Sequence, residues 1–489
     1  MRAQQGKRER GTVPATLCVR LVDHVTLQAD PNGRVAAGIE GRAVALGTLS
    51  AGAVGRAQDL RTGLRLAAFA SGRRAGDQEI DRLVRRLARH GLVEYCLRAA
   101  RGGEQVVIEP QLPDYWPRTQ PLRDSDTLVL SRFAYLRRRS DAIVLESPRA
   151  GALFRIGDPR LAAVLATLAV PQRIARLRRQ AGFPGVELLA LLVDCQMLFK
   201  TGAAGNKSLR AAEGDDSLVV WDFHDLLFHA RSTEGRHANP TGGTYPHAGM
   251  VPELTAVRPG WPGPKIDLRA LSSTDAISPA AQLLRDRHSV RDFDDRHPIT
   301  LAELACFLDR SARIRSIMTA PSEDGGPPLT HTVRPYPSAG ASYELELYLA
   351  VGVCDGLARG FYHYDAEAHA LVPIEVRADE LDAMLAQATL AMGASAPPHV
   401  VITITARFAR VSWKYSSIAY ALILKDVGVL LQTLYLMAAD TGLGGCAIGT
   451  TNIDLFAKMT GIAFHVEGAV GQFAIGRAAP ALDWRMPVR

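Results

Sequence analysis

Cysteine is sparse in this 489-residue sequence, and none of it is paired by spacing. Cys18, Cys96, Cys195, Cys306, Cys354 and Cys446 form no CxxC motif, which argues against a zinc site or a disulfide framework and suits a reducing cytoplasm. A large surplus of one charge is also missing. Lys+Arg number 57 against 50 Asp+Glu, a formal net charge of +7. Arginine runs such as RLVRRLARH and RIARLRRQ supply much of the excess. They are read either as solvated helix faces or as attractors of phosphates or an acidic peptide. The basic start MRAQQGKRERGTVP leads into no apolar stretch, so a secretory signal is not expected. One run, YALILKDVGVLLQTLYLMAA, has the length of a membrane span. Lys425, Asp426 and Gln432 inside it would be costly in lipid, so a buried core helix is expected and no membrane.

What is present is the composition of a folded protein, 47% hydrophobic and 22% charged, on a chain long enough for two or three domains. In the first half a plan of helix, turn and short strand occurs twice. DQEIDRLVRRLARHGLVEYCLR gives a helical period and then a β-like run around Leu92–Leu97. VELLALLVDCQMLFKTG repeats it, with Leu198–Lys200 in the place of Val93–Tyr95. That pattern is read as two winged-helix-like modules, residues 1–110 and 111–205. Neither presents the dense basic face that base readout needs, so nucleic acid is not expected; a strand edge that pairs with an extended peptide fits better.

Residues 206–277 read as a linker and connecting arm. It begins within the small, polar stretch Thr201–Ser217 and includes the Pro/Gly-rich VRPGWPGPKIDL. His224, His229, His237 and His247 fall in it without a matched carboxylate or cysteine set, so no metal is expected. From residue 278 to 489 the pattern is mixed α/β (α+β). Strands are expected at LELYLAV, HVVITITARF and GQFAIG, with a long helix from about Ser416 to Ala439, giving one central sheet flanked by helices.

Three short motifs here carry chemistry. RDRHSVRDF sets Arg287, His288, Ser289 and Arg291 within five residues, a convergence of donors suited to an anion, though a helix C-terminus favours the same residues. RPYPSAGASYELELYL contains Pro337-Ser338-Ala339-Gly340, a turn of small residues whose backbone can approach a flat ring. DTGLGGCAIGT has Gly442, Gly444, Gly445 and Gly449 after a helix, not a strand, so the dinucleotide fingerprint is not met and a helix C-cap is the alternative. Between the second and third motifs lies VSWKYSSIAY, with Lys414 and Tyr415 adjacent.

In this order the motifs resemble the SagB-type azoline dehydrogenases, a branch of the FMN-dependent nitroreductase-like superfamily. FHARSTEGRHANPTGGTY, RHSVRDF, RPYPSAGASYELELYLAV, GFYHYD, WKYSSIAYALILKDVG and GLGGCAIG carry the resemblance from about Trp221 to Arg477. The resemblance implies a nitroreductase-like FMN domain over 278–489. It implies that Arg287, Ser289 and Arg291, with His288 beside them, hold the FMN phosphate and ribityl chain. It further implies that Pro337, Ser338, Ala339 and Gly340 lie along the ring, that Gly449 and Arg477 complete the phosphate site, and that Lys414 and Tyr415 are catalytic. Val429 and Thr433 stand where relatives often carry a histidine and an asparagine, which weakens the expectation of polar contacts from that helix and leaves the flavin and lysine-tyrosine motifs untouched.

The reaction so implied removes two hydrogens from a thiazoline or oxazoline in a ribosomally made peptide. It needs a proton acceptor at one ring carbon and a hydride acceptor at its neighbour. A phenol, with an ordinary pKa of ~10, is a poor base at neutral pH unless an ammonium favours its anion. Tyr415 is therefore expected as the base and Lys414 as the stabilising charge, or the reverse. Successive helix residues diverge by about 100°, so the two share a cleft only where the helix begins or bends. The implied partners are an azoline-containing precursor peptide, a cyclodehydratase and a second copy of the chain. Two other readings remain: an NAD(P)H-dependent nitro or quinone reductase, and a non-catalytic scaffold that grips a leader peptide or DNA.

Overall fold

A computed structural model of the chain describes residues 15–479 apart from 40–41, 99–102, 114, 203–210, 235–242, 244, 246, 261, 273–276 and 322–327. Two compact units change over at residues 231–239.

The first unit is built on a seven-stranded antiparallel sheet. Its strands are β1 (Thr16–Leu21), β5 (Leu64–Arg65), β6 (Val93–Arg98), β7 (Glu104–Pro110), β9 (Tyr135–Arg139), β10 (Ala142–Glu146) and β11 (Ala152–Ile156), in the order β5-β1-β6-β7-β11-β10-β9. The hairpin strands β2 (Val25–Ala29), β3 (Arg34–Ile39) and β4 (Arg42–Thr48) form a separate small sheet, followed by helix α1 (Ala51–Gln58). Both copies of the helix-then-strand plan are present. Helix α2 (Ala75–Arg89) buries Ile80, Leu83, Val84 and Leu87 at helical spacing and feeds β6.

The second copy lies further along the chain, after β8 (Thr127–Leu130), α3 (Pro159–Thr167), β12 (Gln172–Arg173) and α4 (Ile174–Leu177). There α5 (Val186–Asp194) buries Leu188, Leu189, Leu191 and Leu192 and feeds β13 (Leu198–Thr201), which pairs with β8. Because β7 pairs with β11, the division expected at residue 110 falls inside one sheet and one apolar core, which runs from Val19 to Leu198.

Of the expected linker, 203–210 lies outside the described residues, as does His237. The start of the connecting arm folds as α6 (Phe223–Ser232), whose buried His229 stacks on Trp221 with centroids 5.9 Å apart. Among the described residues no group of three or more His, Cys, Asp or Glu side chains is placed to hold a metal.

The second unit has a six-stranded antiparallel sheet. It opens with α7 (Pro279–Asp286), α8 (Leu301–Ser311) and the hairpin of β14 (Ser316–Ala320) and β15 (Leu329–Val333). Then come β16 (Leu345–Val351), β17 (Gly360–Asp365), β18 (Ala370–Ile374), α9 (Ala378–Met392), β19 (Val400–Arg407), α10 (Ala409–Ser412), α11 (Ala419–Asp440), β20 (Gly444–Ile448), α12 (Ile453–Thr460) and β21 (Glu467–Gly476). The sheet order is β18-β17-β16-β19-β21-β20. Central strand β19 is buried along all but its last residue, which explains its run of β-branched residues from Val400 to Thr405.

Helix α11 is the run of membrane-span length. It buries Ala419, Ile423, Asp426, Val427, Leu430, Leu434 and Ala438 and leaves Ala421, Lys425, Gly428, Val429 and Gln432 exposed. One stripe therefore packs against β20, β21 and α8. The glycines after it divide between two roles. Gly442 takes the left-handed conformation (φ 72°) past the helix end, whereas Gly444 and Gly445 are strand residues in β20.

Candidate functional site

The Pro337–Gly340 turn is strained, and its hydrogen bonds hold it so. Gly340, Ala341 and Tyr343 have φ of 55°, 52° and 47°, a region costing a non-glycine residue roughly 1–2 kcal/mol. Against that, Ala341 N donates to Ser338 O (3.0 Å) and Tyr343 N to Ser338 Oγ (2.9 Å). The buried Asp426 of α11 accepts from Ala339 N (2.9 Å) and from the Ser338 hydroxyl (3.0 Å). Arg410 of α10 adds donations to Ser342 O (2.9 Å) and Thr330 O (2.6 Å).

Those Arg410 bonds bring α10 and the two residues beyond it against the turn. Lys414 and Tyr415 lie in the break between α10 and α11, their N–H groups still bonded to Val411 O (3.0 and 2.9 Å), and Ser417 follows at φ 61°. This interruption lets adjacent side chains face the same way. Lys414 Nζ is 3.3 Å from Gly340 O and 5.5 Å from the Tyr415 ring centroid. A Cβ added to Gly340 would meet Tyr415 Oη at 2.3 Å and Lys414 Nζ at 2.7 Å. Glycine is required there, both for its φ and for this convergence.

The other two motifs also meet. Val290 N donates to Gly445 O (2.9 Å), and a Cβ on Gly444 would strike Val290 Cγ1 at 2.7 Å, so glycine lets the chain of 287–291 lie on β20. Tyr435 of α11 joins them: its hydroxyl is 2.8 Å from Ser289 Oγ and accepts from Ala447 N (2.8 Å). The Arg287 guanidinium sits 5.1 Å from the Tyr435 ring centroid. Cys446, beside this cluster, has its thiol pushed up by burial. His288 is exposed and turns Nδ1 to Asp286 O (2.9 Å). Exposed Gly449 has open space where a Cβ would be. Arg477 is differently placed. Its fork is engaged by both oxygens of Glu303 (2.6 and 2.8 Å) and by His297 O (3.0 Å).

Residues 284–477 match the nitroreductase family, and residues 128–238 match the cyanobactin oxidase ThcOx family. A protein of Methanocaldococcus jannaschii described as a nitroreductase is 30% identical over 167 residues, 34% of this chain and 76% of the relative. The chain belongs to the nitroreductase family. Among solved structures, the Escherichia coli microcin synthetase McbBCD complex with truncated pro-MccB17 aligns at 20% identity, covering 54% of this chain and 97% of that one, with a TM-score of 0.38. A nitroreductase in complex with FMN from Desulfovibrio desulfuricans aligns at 16% identity over 44% and 94%, with a TM-score of 0.27.

The residues of this nitroreductase family member fit a phosphorylated flat cofactor on two counts. Arg287 and Arg291 have no carboxylate partner among the described residues; Arg287 and Ser289 meet at Tyr435, and Arg291 is near enough to act on Cys446 of the glycine strand. The Ser338–Gly340 turn is built of small residues whose backbone is open to a flat ring, and the groups that stand over Gly340 itself are Tyr415 Oη and Lys414 Nζ. Asp426 and Tyr435 were not singled out as site residues from the sequence. Asp426 had a signal, an acid inside an apolar helix; Tyr435 had none.

Proposed function

We propose that this nitroreductase family member is an FMN-dependent azoline dehydrogenase, oxidising thiazolines or oxazolines to azoles in a ribosomally synthesised peptide. The observation that carries the reading is the convergence of Lys414 Nζ and Tyr415 Oη on Gly340, at the face of the small-residue turn. Arg287, Ser289 and Arg291 would hold the phosphate end of FMN, and Ser338, Ala339 and Gly340 would lie along its ring. The bound flavin supplies the two-electron acceptor.

The chain's own groups handle the proton. Tyr415 Oη takes it from the ring carbon of the azoline, and the Lys414 ammonium faces the negative charge that develops. Such general-base help is typically worth ~10² to 10⁴ in rate. The break between α10 and α11 keeps both groups on one side of the turn, so neither has to rotate into place. In the same proposal, the first unit grips the precursor peptide with its two helix-then-strand copies, a cyclodehydratase supplies the azoline, two copies of the chain associate, and the work is cytoplasmic. The match of residues 128–238 to the cyanobactin oxidase family supports a peptide substrate over a free small molecule.

The test is mass spectrometry of an azoline-bearing precursor incubated with the purified protein. Loss of two hydrogens per heterocycle is expected, with Tyr415→Phe and Lys414→Ala retaining FMN but losing azole formation. Unchanged turnover in either variant removes the assignment, and quinone reduction with NAD(P)H in place of azole formation establishes the reductase reading.

A further inference from the structure

Glu344 stands just ahead of β16, directly after the strained Tyr343, and its side chain is fully buried (0% exposed). It forms no ion pair among the described residues. Its Oε2 lies 3.2 Å from Ser338 Oγ, while Oε1 has no hydrogen-bond partner among the described residues. The same Ser338 hydroxyl lies 3.0 Å from Asp426 Oδ2, and Asp426 is 6% exposed. A hydroxyl has one proton and cannot satisfy two carboxylates. The donors gather on Asp426, which takes Ala339 N–H as well as the Ser338 hydroxyl, and Glu344 is left short.

The Glu344 backbone N–H favours the carboxylate, but no cation pairs with it among the described residues. Arg407 of β19 meets Glu344 only through its backbone, donating N–H to Glu344 O (3.0 Å), while its guanidinium turns to Glu346 at 3.7 Å. Tyr336, fully buried, also faces Glu344, and it is flanked in turn by Arg334 and Glu346. Lys414 is held at Gly340 O, 3.3 Å away. A buried anion that has only a shared hydroxyl and its own backbone N–H is costly, and a second carboxylate across that hydroxyl makes it more so.

We propose that Glu344 is a neutral carboxylic acid in the working protein and positions the Ser338–Gly340 turn, its proton bridging to the Ser338–Asp426 pair. Glu344 is thus a positioning residue, acting through Ser338 on the face where Lys414 and Tyr415 converge. Its bearing on catalysis rests on the function proposed above; the proton itself does not.

Burial first, and the nearby Asp426 charge after it, push the Glu344 carboxyl up to about 7. An acid whose folded value is raised contributes stability fully below its ordinary value of ~4.5 and loses it as pH rises through the folded value. Thermal unfolding of the full chain is therefore compared from about pH 5 to about pH 8 for the wild type and Glu344→Gln, whose amide keeps the neutral shape. The wild-type melting temperature should fall relative to the variant across this window, by on the order of 5 °C. A constant gap between the two curves overturns the proposal. Infrared absorption of the wild type is the second reading, independent of whether the variant folds. A carboxylic-acid C=O band present near pH 6 and fading by about pH 8 is expected, and its absence at pH 6 overturns the proposal. Neither reading involves flavin or azoline, so a failed dehydrogenase assay and a failed proton assignment are distinguishable.

Discussion

Glycine 340 and glycine 449 belong to the same family resemblance, yet the structure gives them opposite tolerances. At Gly340 a methyl group would stand 2.3 Å from Tyr415 Oη on a backbone with φ of 55°, so Gly340→Ala should lower stability by about 1 kcal/mol in urea unfolding. It should also abolish azole formation by displacing the tyrosine. Gly449→Ala meets no atom, so its stability should stay within about 0.5 kcal/mol of the wild type. A loss of bound FMN in that variant, read from the absorbance of the purified protein, would report a cofactor approaching this backbone. Arg287, Ser289 and Arg291 were legible as a short cluster because five consecutive residues are a local fact. Arg477 was assigned to the same site, and its geometry instead commits it to Glu303.

That pairing belongs to the scale of the element. Helix α8 begins with a capping box in which Thr300 Oγ1 accepts from Glu303 N and the Glu303 carboxylate accepts from Thr300 N. Thr300 N first, and then Arg477 and the Thr300 hydroxyl, hold the Glu303 carboxyl below its ordinary range. A depressed acid contributes stability above its unfolded value, near ~4.5, and loses it as pH falls toward the folded one. Arg477→Ala should therefore lower the melting temperature at neutral pH, and the gap to wild type should narrow as the pH drops below about 4.5. A pH-independent gap would contradict the ion pair.

Elements were unevenly readable at this scale. β16, β19 and α11 were evident from dense apolar runs or helical period, whereas β20 was hidden because glycine runs resemble turns. Its strand character comes from pairing with β21, and its glycines from the close approach of Val290 and the Phe473 ring, 2.4 Å from a Cβ on Gly445.

For the whole molecule, the outer face of α11 bears on association. Ala421, Gly428 and Val429 are exposed on it with Lys425 and Gln432, and Gly428 has open space where a Cβ would be. Small residues on an exposed helix face permit close approach of another chain, in keeping with the proposed dimer. The 52.8 kDa chain should elute in light scattering at about twice its mass, and Gly428→Arg should shift it to the monomer. A monomeric wild type removes the dimer from the proposal. In the first unit, the repeated helix-then-strand plan was visible along the chain, but the seven-stranded sheet that crosses residue 110 was not. β7 and β11 are separated by three intervening strands in sequence, and no local period encodes their pairing.

The sequence by itself determined what depends on neighbours a few residues apart: the helical stripes, the small-residue turn, the basic cluster and the adjacency of lysine and tyrosine. Only tertiary structure decided that Ser338 meets Asp426, 88 residues on, that Ser289 meets Tyr435, 146 residues on, and that Glu344 is sealed in with no ion pair among the described residues. Sheet register and helix packing bring such groups together, and hydrogen-bond distance is set by that assembly, to which a reading of local periodicity has no access.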